Sequence, residues 1–63
     1  VIAYRVMARN LKTRIRIERQ QIDGRLITNE DLAWRLAQDF AVQQEQRTLD
    51  QWKAEVESYT PRS

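Results

Sequence analysis

Sixty-three residues with neither Cys nor His make one domain at most, and they exclude disulfides, thiolate chemistry, the usual zinc ligand sets and imidazole acid–base catalysis. No apolar run reaches the ~20 residues a membrane helix needs, and the stretch holding Arg5 and Arg9 is unlike a signal peptide, so a cytoplasmic location is expected. The net charge is only +2, but it is unevenly placed. Residues 1–25 hold Arg5, Arg9, Lys12, Arg14, Arg16, Arg19 and Arg25 against Glu18 and Asp23, whereas acids outnumber bases in the remainder. Such asymmetry suits a basic face that meets an anion, or two faces of opposite sign that meet each other.

Residues 1–9 alternate. Ile2, Tyr4, Val6 and Ala8 point one way, and Ala3, Arg5, Met7 and Arg9 the other, which is the period of a half-buried strand. A helical stripe through Tyr4, Ala8, Leu11 and Ile15 competes with it. Residues 13–22 form a second expected strand, with Ile15 and Ile17 opposite Arg14, Arg16 and Glu18. Asn10-Leu11-Lys12 is the expected hairpin loop. Asp23-Gly24 holds the only glycine of the chain and predicts a tight type I′ turn, pairing Ile22 with Arg25 and Gln21 with Leu26. That gives a short third strand over 25–27.

Thr28 reads as the N-cap of a helix over 29–45, with Asp31 three residues on as a capping-box partner and Ile27 and Leu32 as a hydrophobic staple. Glu30 and Asp31 suit the positive end of its dipole. Leu32, Ala33, Leu36, Ala37 and Phe40 form its apolar stripe. After the polar run 43–47, Thr48 and Gln51 read as a second start signal. Leu49, Trp52, Val56 and Tyr59 then fall at helical spacing, so a second helix is expected over 49–59. A single continuous helix is the alternative, because Val42, Glu45, Leu49, Trp52, Val56 and Tyr59 also keep a heptad register. The expected fold is α+β: an antiparallel hairpin or three-stranded sheet packed under two helices, in one domain over 1–60, with 61–63 a flexible end.

Two groups of residues are candidates for function. Arg5, Arg9, Arg14 and Arg16 would share the solvent face of the sheet, where guanidinium groups could bind phosphate or reach guanine in a major groove. A solvated polar face, with basic residues guarding the edges, is the bland counterpart. Trp34, off the centre of the helix stripe, and Trp52 and Tyr59 on the second helix are candidates for a protein interface. Completing a small core is the bland counterpart for these. The alternating Thr13-Arg14-Ile15-Arg16-Ile17-Glu18 followed by two expected helices resembles the ribbon-helix-helix repressors, which implies DNA reading by the strand and a helical dimer core. The ten residues and Asp-Gly turn between strand and helix, and the absence of a glycine between the helices, depart from that family.

No residue suggests catalysis. Ser58 and Ser63 have no neighbouring base, and Glu30 and Asp31 are explained as helix-start charges. Glu45, Asp50, Glu55 and Glu57 lack calcium-loop spacing, and one glycine makes no phosphate-binding loop. The expectation is a non-catalytic accessory or interaction domain without cofactor or metal, associating with itself or another protein. Nucleic-acid binding through the sheet is the alternative.

Overall fold

The computed structural model describes residues 1–61; the last two residues of the expected flexible end, 62 and 63, lie outside them. Strands β1 (Ala3–Asn10) and β2 (Arg16–Arg19) form the expected hairpin. A two-stranded unit, β3 (Gln21–Ile22) and β4 (Arg25–Leu26), follows, then helix α1 (Glu30–Thr48) and strand β5 (Trp52–Tyr59). The main sheet is antiparallel with order β2-β1-β5, and β3-β4 forms a separate small sheet. The fold is α+β, with one helix on one face of a three-stranded sheet.

The turns follow from local chemistry. Asn10 is only 2% exposed, and its side-chain Oδ1 accepts the backbone N–H groups of Lys12 (2.8 Å) and Thr13 (2.7 Å). The loop is thereby closed by a side chain mimicking a backbone acceptor. Arg14 takes the left-handed φ of 65° that ends this loop. At the second turn Asp23 and Gly24 adopt φ of 52° and 77°, the signs a type I′ turn demands. The register is the expected one, Gln21 with Leu26 and Ile22 with Arg25. These strands do not extend the main sheet, however, and Leu26 stays exposed.

Helix α1 starts one residue later than the sequence suggests. Asn29, not Thr28, is the N-cap, its Oδ1 accepting Leu32 N–H at 2.9 Å. With Asn29 as the cap, the staple positions become Thr28 and Ala33, so Ile27 and Leu32 no longer hold them; Ile27 is buried in the core and Leu32 is half exposed. The stripe of α1 that meets the sheet is Ala33, Ala37 and Ala41, with Leu36 packed at its flank. Small side chains at i, i+4 and i+8 let the helix backbone lie close to β1 and β5. Val6 and Ile27 fill the space beside it, with Tyr4, Ile22, Ala54 and Val56 around them.

The expected second helix over 49–59 is a strand, and the continuous-helix alternative fails with it. Leu49 takes the left-handed φ of 60° and donates its N–H to Glu45 O at 2.8 Å, which ends α1 by a left-handed cap. The chain then returns antiparallel along β1, matching Ala3 with Tyr59 through to Asn10 with Trp52. Trp52, Ala54, Val56 and Ser58 alternate with Lys53, Glu55, Glu57 and Tyr59, so the helical spacing of Trp52, Val56 and Tyr59 coexists with a strand period. The strand wins because it pairs with β1 along eight residues, packs Ala54 and Val56 against the core and makes β1 a central strand. Without a second helix, the resemblance to ribbon-helix-helix repressors does not extend to the fold.

Candidate functional site

The sheet face away from α1 carries Arg5 and Arg9 from β1, Arg16 and Glu18 from β2, and Lys53, Glu55, Glu57 and Tyr59 from β5, as the register requires. The arginines expected to be free for an anion are laced into a charge ladder. Arg5 meets Glu57 at 2.8 Å and Glu18 at 3.8 Å; Arg9 meets Glu55 at 3.4 Å; Arg16 meets Glu18 at 2.8 Å. The Arg5 guanidinium also stacks over Tyr59, 5.0 Å from the ring centre, within cation–π range. With its amide oxygen turned toward Arg5, Gln20 accepts from Nε (3.1 Å) and Nη2 (3.0 Å). Arg14 has no ion-pair partner among the described residues. Together with Arg9, Asn10, Leu11 and Arg16 it lines a shallow concavity at the β1–β2 turn.

The other face holds a different arrangement. Trp34 and Trp52 lie far apart in sequence and on different elements, yet they border one open groove with Leu11, Ala41, Val42 and Ala54. Trp52 is anchored. Its ring Nε1–H donates to Thr48 Oγ1 at 3.0 Å, and its backbone N–H to Glu45 Oε1 at 3.0 Å. Trp34 is 42% exposed, and Val42 beside it is 51% exposed. Tyr59, the third expected interface residue, lies on the opposite face of the sheet, under Arg5.

The groove runs along a free strand edge. β5 is the last strand of the sheet. Leu11 N–H donates to Gln51 O at 3.0 Å, which sets the phase of the β1–β5 ladder: odd residues of β5 bond to β1, and even ones turn outward. Trp52, Ala54, Val56 and Ser58 therefore present backbone N–H and C=O groups to the edge, and Glu45 occupies one N–H, that of Trp52. Sequence reasoning named the two tryptophans but missed Ala54 and Lys53. The apolar–polar alternation of Trp52 to Glu57 was the signal that would have found them.

No group of three or more carboxylates capable of holding a metal occurs among the described residues. Among the described residues no helix is long and apolar enough to cross a membrane. Comparison with protein-family models, with curated proteins and with solved structures gives no match.

Proposed function

We propose that the chain is a non-catalytic interaction domain, acting in the cytoplasm, that receives a polypeptide along the β5 edge and the groove between Trp34 and Trp52. The observation that carries this reading is the coincidence of unpaired strand groups with exposed aromatic surface. Backbone hydrogen bonds supply affinity when a strand is added to a sheet edge, and neighbouring apolar pockets supply selectivity. Tryptophan is the residue most enriched among interface hot spots. The test is site-specific photocrosslinking in cells that make the protein. A probe replacing Val42, in the groove, should yield a discrete polypeptide adduct that Trp34→Ala removes. A probe replacing Arg35, elsewhere on α1, should not. Equal labelling from both positions, or none, defeats the reading.

A second reading has one observation in its favour: Arg14, without an ion-pair partner, sits with Arg9 and Arg16 around the concavity at the β1–β2 turn. In that reading the turn end of the sheet contacts nucleic-acid phosphate. Arg5 is then structural, since Glu57 and Glu18 already engage it. Binding to a short mixed-sequence duplex should weaken steeply with salt and disappear in Arg14→Glu with Arg16→Glu. Unchanged affinity in that double variant removes this reading.

A further inference from the structure

We infer that the occupant of the β5 edge is a second copy of the same chain, paired antiparallel through β5 about a two-fold axis at Ala54. This rests on the interaction reading above and names its partner.

The argument starts from parity. In an isologous strand pair, residue i faces residue j and j faces i. Opposed residues lie on the same side of the sheet, so even positions of β5 must face even positions. Four registers keep most of the eight residues of β5 in contact, and centring on Glu57 sets that carboxylate against its own copy. Centring on Glu55 sets that carboxylate against its own copy. Centring on Val56 sets Glu55 against Glu57 of the other copy, twice. Centring on Ala54 sets Lys53 against Glu55 of the other copy, twice, with Trp52 opposite Val56 on the groove side. Only this last register opposes unlike charges. Lys53 is exposed and has no ion-pair partner among the described residues. Glu55 already touches Arg9, so the pairing closes an Arg9–Glu55–Lys53 row across the two copies.

Backbone phase agrees. Ala54 turns its N–H and C=O outward, so the two copies of Ala54 bond each other reciprocally, and Val56 N–H reaches Trp52 C=O of the other copy. The Trp52 N–H of each copy points at Val56 C=O of the other, so Glu45, which accepts it at 3.0 Å in the single chain, gives way when the strands pair.

Helix placement agrees as well. α1 packs over both β1 and β5. Continuing the sheet by one strand of about 4.8 Å spacing sets the two copies of α1 about two strand spacings apart, about 10 Å, at the upper end of the 8–10 Å typical of packed helices. Trp34, Gln38 and Val42, which border the groove, would fill that space. The alanine pair at the axis leaves room for them.

Sedimentation of the whole chain across micromolar to millimolar concentration tests this. The wild type should sediment at twice the chain mass. Lys53→Glu alone and Glu55→Lys alone, each checked for folding by circular dichroism, should weaken association at least tenfold. Their equimolar mixture should restore it, because the mixed pair opposes unlike charges at both positions. A chemically made chain with N-methylated Ala54 should be monomeric, since it loses only outward-facing donors. A monomeric wild type, or a mixture no stronger than its components, overturns the proposal. If the wild type is monomeric while the Val42 probe still captures a different polypeptide, self-pairing falls and the interaction reading stands. If neither occurs, both fall.

Discussion

Leu49 stands in the left-handed region at φ 60°, ψ 13°, and is 93% exposed. A leucine there gains no packing and carries the steric penalty of a Cβ against its own carbonyl, about 1–2 kcal/mol. Its N–H nevertheless closes α1 on Glu45, so the conformation is imposed by the helix end and by the return into β5. Glycine adopts this conformation freely, at the cost of greater freedom in the unfolded chain. Leu49→Gly is therefore expected to stabilise the domain by about 0.5–1 kcal/mol. For a domain this small the melting temperature should rise by a few degrees. A fall in thermal stability would show that Leu49 makes a contact elsewhere, for example in an assembly. Asp23 needs no such correction: it takes positive φ beside Gly24, where a short polar side chain is tolerated.

Helix α1 shows how a stripe can be legible and still be misaligned. Leu32, Leu36 and Phe40 suggest a face centred on large side chains, but the face against the sheet is centred on Ala37. Hydrophobicity alone favours leucine inward; the close approach of helix to sheet favours alanine, and the approach cannot be read until the partner strands are known. Two of the three main strands, the Asp-Gly turn with its register, and the helix itself were legible, because period-2 alternation and turn chemistry are local. β5 was not. Trp52, Val56 and Tyr59 satisfy the helical period, Trp52 and Val56 satisfy the strand period as well, and the deciding term is the pairing of β5 with β1, some fifty residues away. The same nonlocal pairing hid the free edge, so the two tryptophans were recognised without the strand that brings them together. The alanine stripe has a measurable consequence. Ala37→Leu, adding volume where nothing is exposed, should destabilise by about 1–3 kcal/mol through overpacking. Leu32→Ala, which removes more apolar surface from a half-exposed position, should cost less. Urea midpoints of the two variants check the order; the reverse order would place the contact face of α1 where the sequence stripe suggested.

At the scale of the molecule, the opposite charges of the two halves meet within one chain: the acids of β5 lie along the bases of β1. Exposed ion pairs of this kind contribute about 0.2–1 kcal/mol each, so they select the register more than they hold the fold. The burden falls on the core, and the core is thin. Five of the eight buried apolar residues are alanine, leaving Val6, Met7 and Ile27 as the large ones. A chain this short already buries a smaller fraction of its surface than larger domains do, and Trp34 and Val42 remain half exposed. Burying them between copies would add what the isolated chain lacks. Folding would then be linked to association, and the melting temperature would depend on protein concentration. For a dimer of this size each tenfold increase should raise it by about 5 °C. Lys53→Glu alone should melt lower than the wild type at the same concentration, by about 5 °C for a tenfold loss of association, and its mixture with Glu55→Lys should recover the difference. A wild type whose melting temperature is flat from micromolar to millimolar would mean that the thin core suffices by itself, and that the copies do not pair.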